Sequence, residues 1–366
     1  MPKPIPHIDL WPSNRPYLKA FLTDMEKLYR TGAFSGGEYV DRFEREFAAY
    51  LGAGHCIGVN SGTSALHLAL LALGIGPGDE VIVPAYTFAG TVWGALYCGA
   101  TPVFADVDAE TGNLSVAAVE RALTKRTRAV IVVHLFGQAA PVGDLKRALR
   151  GRGIRIIEDA AQAHGGMHAG QAMGTHGDLG CFSFYPTKNL GAAGEGGAVV
   201  TADKRWADRI RLLRNHNAAK RYVHLGLGFN YRMEGMQGLF LSLKLKGLDA
   251  MNRERASIAS AYLAAIGEGP LRPLCRAVED SAWHAFVCRV PRRARFLARL
   301  EAEGIGHAIY YPRILPDLPA FKPYVRDPSA FPAAKSLSRT TVSLPLYPGL
   351  RKADIARVAA VLRDRT

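Results

Sequence analysis

Six short apolar runs, most of them β-branched, punctuate the first two-thirds of this chain: EVIVP (80–84), TPVFADV (101–107), TRAVIVVHL (127–135), IRIIEDA (154–160), GCFSFY (180–185) and GAVVT (197–201). Their length and composition suit buried strands. Between several of them lie segments of helical period, TSALHLALLALG (63–74), LSVAAVERALT (114–124) and VGDLKRALRGRG (142–153), each closed by glycine or a turn. Strand and helix in alternation leave few topologies open. The expectation is an α/β fold with a mostly parallel sheet covered by helices.

A long helical region, 235–267, ends this pattern. After it come HAFVCRV, a helix RARFLARLEAEG, the strand-like HAIYY and a proline-rich loop. This change predicts a large domain over residues 1–250 and a smaller α+β domain over 251–366. At 366 residues and 48% hydrophobic, the chain can bury a core of that size.

No run approaches the roughly 18 apolar residues of a membrane span, and MPKPIPHIDLWPSNRP has no signal-peptide core. A soluble cytoplasmic protein is expected. The five cysteines, Cys56, Cys98, Cys181, Cys275 and Cys288, are scattered, which reads as reduced, mostly buried thiols. The net charge of +14 is spread through helical segments and mixed with acids, and no nucleic-acid motif accompanies it. A solvated basic surface follows, with attraction for phosphate second.

Three segments carry chemistry. GVNSGTSALHLALLALG puts Gly62, Thr63 and Ser64 at the start of a helix. Unpaired N–H groups and the helix dipole favour an anion there, although an ordinary helix cap would look the same. IRIIEDAAQAHGG places Glu158 and Asp159 at the C-terminal end of a strand, where open α/β sheets build ligand sites. A carboxylate buried there needs solvent, a cation or a protonated nitrogen, unless it caps a helix starting at Ala160. His164 and His168 are four apart, but glycines and the lack of an HExxH glutamate argue against metal. Lys188 lies between SFYPT and GAAGEGGAVV, a loop whose glycines allow close backbone approach. At a strand end beside Ser183, facing a phosphate site and a strand-end Asp, it would suit Schiff-base chemistry.

Taken in order, NSGTSALHLALLALGIGPGDEVIVPAYTFAGT, GATPVFADVD, VVHLFGQ, EDAAQAHGG, GDLGCFSFYPTKNLGAAGEGGAVVT and GFNYRMEGMQ resemble the successive motifs of the DegT/DnrJ/EryC1/StrS sugar aminotransferases. The likeness runs from GAFSGGEYVDRFEREFAAYLG to TVSLPLYPGL. It implies a fold type I enzyme dependent on pyridoxal 5′-phosphate (PLP), with the pyridoxamine form (PMP) as the half-reaction intermediate. By this resemblance Lys188 carries the cofactor as a Schiff base and moves the proton, and Asp159 holds the pyridine nitrogen protonated. Gln162 contacts the ring 3-oxygen and Phe88 stacks on the ring. Thr63, Ser64 and Ser183 hold the phosphate, next to Gly62. Asn230 matches a residue that reaches the phosphate from the neighbouring subunit, which implies a homodimer with shared active sites. Arg232 is a candidate for contacting donor or substrate anions. L-glutamate is the implied amino donor and a nucleotide-linked keto sugar the acceptor.

Two departures narrow the acceptor. Many relatives, the 4-aminotransferases above all, carry YPxPLH in the smaller domain, whereas here YYPRILPDLP (310–319) lacks that histidine. KRYVHLGLGFN resembles the KYxHxxxGxN form of relatives that aminate C3. Both favour a 3-keto over a 4-keto sugar, with Lys220 and Arg221 as candidates for the diphosphate. A few relatives carry histidine in place of the lysine and dehydrate sugars; Lys188 argues against that. Two alternatives stand beside this reading. The same site could aminate a free keto-cyclitol, distinguished by weak binding of a nucleoside diphosphate. The basic surface could serve a non-enzymatic DNA-binding regulator, distinguished by selective gel shift, but such a protein has no need of Lys188, Asp159, Gln162 and Ser183 together.

Overall fold

A computed structural model of the chain describes residues 3–276 and 280–363. Seven strands form its main sheet: β1 His55–Val59, β2 Glu80–Pro84, β3 Thr101–Ala105, β4 Thr127–Val133, β5 Arg155–Asp159, β6 Leu179–Ser183 and β7 Gly197–Thr201. Their order across the sheet is β1-β7-β6-β5-β4-β2-β3. The run from β3 to β6 is parallel, while β7 lies antiparallel to both β6 and β1.

Alternation along each strand explains why these runs read as continuously apolar. Val81, Val83, Ile131 and Ile157 enter a core on one face with the helices Gly62–Ala72 and Gly90–Tyr97. Ile82, Val130, Val132 and Ile156 enter a core on the other face with the helices Val116–Ala122 and Val142–Ala148. Both faces are therefore covered, and no polar alternation is needed.

A three-stranded antiparallel sheet follows, made of β8 Arg272–Pro273, β9 Phe286–Arg289 and β10 Thr341–Leu344. The helices Leu248–Ile266 and Lys352–Arg363 pack on it through Ile258, Tyr262, Val358 and Leu362, and Ile5 of the N-terminal segment joins the same core. The helix Leu248–Ile266 runs through the boundary expected at 250–251. Its Leu248 and Met251 pack beside the main sheet, and its Ile258 to Ile266 end packs on the smaller one.

Three local expectations are corrected. The helical region 235–267 is two helices, Gly235–Leu245 and Leu248–Ile266, parted at Lys246 and Gly247. HAIYY is not a strand, because only Ala308 bridges, to Ser343, and the Tyr310 carbonyl accepts from the Tyr86 hydroxyl instead of a ladder partner. The chain does not start a helix at Ala160; a turn follows Asp159. β1, HCIGV, has no counterpart among the expected strands. Among the described residues no helix is long and apolar enough to cross a membrane; all five cysteines are buried, and Cys56, Cys98, Cys181 and Cys288 are free thiols.

The loop around Arg326 is fastened to the main sheet by Glu80, at the start of β2. Its carboxylate, 1% exposed, accepts from Arg126 Nη2 at 2.6 Å, Arg326 Nη2 at 2.5 Å and Thr124 Oγ1 at 2.6 Å. Burial alone would raise this carboxyl, but the Thr124 and Arg126 bonds and the two guanidinium charges outweigh it and hold it below its ordinary value. Glu80→Gln is expected to lower stability by about 1–2 kcal/mol at neutral pH, since both arginines recover water at the surface. A depressed folded pKa stabilises above the unfolded value and loses that contribution as pH falls, so the gap in melting temperature between the two proteins should close in acid.

Candidate active site

The C-terminal ends of β5 and β6 meet the N-terminus of the helix Gly62–Ala72. Its cap is Ser61, whose Oγ accepts the Ser64 N–H at 3.1 Å and pairs with Ser64 Oγ at 2.9 Å. Gly62, Thr63 and Ser64 form the first turn, as the sequence indicates. Among the described residues the N–H groups of Gly62 and Thr63 have no intramolecular acceptor, which leaves donors at the positive end of the helix dipole. A Cβ on Gly62 would lie 2.7 Å from Ser183 Cβ, so only glycine lets the helix end rest against the end of β6. A Cβ on Gly90 would lie 3.0 Å from the Phe88 ring and 3.2 Å from Thr63 Oγ1, which places Phe88 beside the same turn. Phe88 is 62% exposed, with its ring uncommitted to the core.

The two acids of IRIIEDA take opposite faces of β5. Glu158 is fully satisfied: it accepts from His134 Nε2 at 2.7 Å, the Gly174 N–H at 2.9 Å and the Gly177 N–H at 2.5 Å. His134 Nδ1 accepts the Ala140 N–H at 3.0 Å, so the imidazole proton sits on Nε2 and points at Glu158. Burial opposes the Glu158 charge, but these bonds outweigh it and hold the carboxyl below its usual value. Asp159 faces the other way. Its Oδ2 accepts from Thr91 Oγ1 at 2.8 Å and its Oδ1 from the Ala161 N–H at 3.2 Å, both neutral donors. Burial here prevails over those bonds and over the charge of Lys188, and the carboxyl is raised.

Lys188 sits in the turn after β6, where its N–H donates to the Tyr185 carbonyl at 2.8 Å. Burial pushes its ammonium down to about 8, against the pull of Asp159. A second buried lysine, Lys244, is also pushed down to about 8, by burial and then by Arg255. The two differ in their partners. Lys244 Nζ donates to Asn14 Oδ1 and the Gly191 carbonyl, each at 2.9 Å, and so clamps the glycine loop. Lys188 Nζ has no such acceptor among the described residues. Gln162 is held by its Oε1, which accepts the Phe136 N–H at 2.6 Å, and its Nε2 donates to the Tyr311 hydroxyl at 3.2 Å. One N–H of that amide stays open.

Gly62, Thr63, Ser64, Phe88, Asp159, Gln162, Ser183 and Lys188 are thus gathered at one end of the sheet. Asn230, Lys220, Arg221 and Arg232 are joined to this set by no hydrogen bond among the described residues. Lys220 and Arg221 lie on an exposed ribbon, Ala218–Lys220 with Val223–His224, and the Arg221 guanidinium lies 5.1 Å from the Tyr222 ring centre. Asn230 is exposed and bridges to Asn215, while Arg232 donates to Ser35 Oγ at 3.2 Å and Asn215 Oδ1 at 2.8 Å. His164 and His168 do not face each other across a metal site: His164 is buried between Phe182 and Phe184, and His168 lies exposed on a short ribbon near His176. Among the described residues no cluster of three or more His, Cys, Asp or Glu could hold a metal. The sequence reading missed Thr91, although its place three residues after Phe88 in AYTFAGT offered a signal. It also missed Tyr311, for which no local signal exists.

Several known proteins share this architecture. A UDP-N-acetyl-3-dehydro-alpha-D-glucosamine 3-aminotransferase of Acidithiobacillus ferrooxidans is 41% identical over 363 residues, 98% of this chain and 97% of the relative. The crystal structure of S. venezuelae DesV in complex with a ketimine intermediate superposes with a TM-score of 0.95 at 38% identity, covering 98% of each chain. The structure of ntda from Bacillus subtilis with bound cofactor PMP gives 0.88 at 27% identity, covering 99% of this chain and 85% of the other. The family pattern itself spans residues 18–363, and the chain belongs to the DegT/DnrJ/EryC1/StrS aminotransferase family.

Proposed function

We propose that this aminotransferase, which works with PLP and its PMP form, moves an amino group from L-glutamate to the C3 ketone of a nucleotide-linked sugar. It acts as a cytoplasmic homodimer. The observation that carries the reading is the buried pair at the sheet end: an amine brought to about 8 and a carboxylate whose direct partners are all neutral. The residues gathered at this sheet end suit the groups of the cofactor. Asp159, raised and buried without a cation, would pair with a pyridinium N–H, and the free N–H groups of the Gly62 turn would receive a phosphate.

PLP, when bound, supplies an electron sink for the bond broken at the substrate carbon. This chain's residues do the rest. Lys188 Nζ holds the cofactor and, once released, carries the proton. Asp159 keeps the ring nitrogen protonated, with Thr91 orienting its carboxylate. The open N–H of Gln162 donates to the ring 3-oxygen, Phe88 covers a ring face, and Thr63, Ser64 and Ser183 donate to phosphate. Support for a C3 ketone comes from the name of the A. ferrooxidans relative and from YYPRILPDLP, which lacks the histidine of YPxPLH. Lys220 and Arg221 are assigned to the diphosphate, Arg232 to an anionic group of donor or sugar. Support for a dimer comes from the ribbon preceding Asn230, where Tyr222, Leu225 and Leu227 stand 80%, 64% and 81% exposed. Apolar side chains at that exposure mark a surface made to be covered. Asn230 then completes the partner's phosphate site.

Borohydride reduction of the yellow, cofactor-loaded protein should fix the cofactor's mass on the peptide containing Lys188; mass on the Lys244 peptide instead would refute the assignment. With glutamate as donor, 3-keto and 4-keto sugar nucleotides offered together should yield the 3-amino product by NMR, and exclusive 4-amination would overturn the regiochemistry alone.

Asp159→Asn should keep fold and cofactor and lose about 10²-fold or more in turnover, because an amide cannot hold the ring nitrogen protonated. Thr91→Val should lose less, about tenfold, the size of one hydrogen bond. Near-normal turnover of Asp159→Asn removes that residue from the site.

Co-expressed Lys188→Ala and Asn230→Ala subunits, each inactive alone, should regain activity in heterodimers, where one site is intact and the other doubly defective. Confirmed heterodimers without activity would rule out a shared site.

A further inference from the structure

Residues 229–232 thread between two neighbours. On one edge lies Asn215, just past the helix Lys204–Arg214: the Tyr231 N–H donates to the Arg214 carbonyl at 2.9 Å and the His216 N–H to the Phe229 carbonyl at 2.9 Å, with Asn230 and Asn215 bridged between them. On the other edge lies the end of β1, where the Asn60 N–H donates to the Tyr231 carbonyl at 3.0 Å and Val59 bridges to Arg232. A segment paired on both edges is extended, and its side chains alternate between two faces.

The contacts show that alternation. Phe229 and Tyr231 turn inward against the main core, their ring centres 5.0 Å apart and their planes within 20° of parallel. Both rest on His67, whose ring centre lies 4.8 Å from that of Phe229 and whose Nδ1 lies 3.3 Å from the Tyr231 hydroxyl. His67 is 3% exposed, and burial holds its imidazole down at about 4, so this seat is uncharged in neutral solution. Arg232 and Asn215 take the opposite face, joined by the 2.8 Å bond from Arg232 Nη1 to Asn215 Oδ1. Asn230, exposed and set between the two inward rings, shares that outward face. Its own subunit's phosphate turn lies behind it, because His67 belongs to the helix Gly62–Ala72 and Asn60 directly precedes the Ser61 cap. An asparagine held facing away from the helix that anchors it does not serve that helix's phosphate.

We propose that Phe229 and Tyr231, seated on His67, are positioning residues that aim Asn230 out of their own subunit and into the cofactor site of its neighbour. Each subunit's phosphate helix is thereby the base of an arm that serves the other site. The inference rests on Asn230 completing a phosphate site across a dimer.

A heterodimer with a single working site tests this across the interface. One subunit carries Lys188→Ala and lends Asn230; the other carries Asn230→Ala and supplies Lys188, so the yellow absorption of cofactor joined to that lysine arises at one site. Titrating PLP into the cofactor-free heterodimer gives the Kd of that site. Tyr231→Ala added to the lending subunit should raise this Kd about tenfold, the worth of one hydrogen bond to a charged group, whereas added to the subunit that supplies Lys188 it should leave the Kd within about twofold. A merely structural Tyr231 would do the reverse, loosening the helix Gly62–Ala72 on which it rests and with it the site of its own subunit. Equal losses from either placement, a loss confined to the Lys188 subunit, or no loss overturns the proposal. If Tyr231→Ala subunits do not assemble, Tyr231→Phe keeps the stacked ring and drops the bond to His67, and should still cost about threefold from the lending subunit alone; the same outcomes then decide. Parent heterodimers that bind PLP no more tightly than Asn230→Ala homodimers would remove the shared site itself, so failure of the proposed function is told apart from failure of this inference.

Discussion

A carboxylate and an amine buried at the same end of the sheet, near enough for their charges to act on each other, are the constraint on which this architecture turns. Each charge is costly to bury, and the attraction between two groups not joined in an ion pair does not repay that cost. Asp159 is raised and Lys188 lowered because burial outweighs their mutual attraction. The arrangement is poised for a third, positively charged partner at the carboxylate. Everything nearby serves to hold that imbalance in place. Thr91 fixes one oxygen, the Ala161 N–H fixes the other, and Lys244 pins the glycine loop that follows the lysine.

The neighbouring acid shows the alternative. Glu158 is one residue away and more buried, yet three donors with His134 among them leave its charge fully compensated. The strand's alternation sends one acid to a closed structural network and the next to the open face it shares with Lys188. Both are buried carboxylates. Their partners distinguish them.

Much of this was legible beforehand, for definite reasons. Parallel strands covered on both faces leave short unbroken apolar runs, and EVIVP and GAVVT coincide with their strands to the residue. β1 escaped because HCIGV mixes histidine, cysteine and glycine, and its Gly58 packs on Val40 and Met233 from distant segments. Lys188 and Asp159 stood out because a strand end and a glycine loop are local patterns. Thr91 and Tyr311 did not, since their partners lie 68 and 149 residues away. The strand-like HAIYY misled for a similar reason: a tyrosine hydroxyl from another part of the chain takes the carbonyl a ladder would have used.

The helix Leu248–Ile266 belongs to two cores at once, with Leu248 and Met251 in one and Ile258, Ala259 and Tyr262 in the other. Its nineteen residues lose part of the apolar face that holds them folded if either core melts. The chain therefore has no cheap intermediate in which the smaller sheet is lost and the larger one kept. Cooperativity is written into a single rod shared by both halves, and the two halves should unfold in one transition.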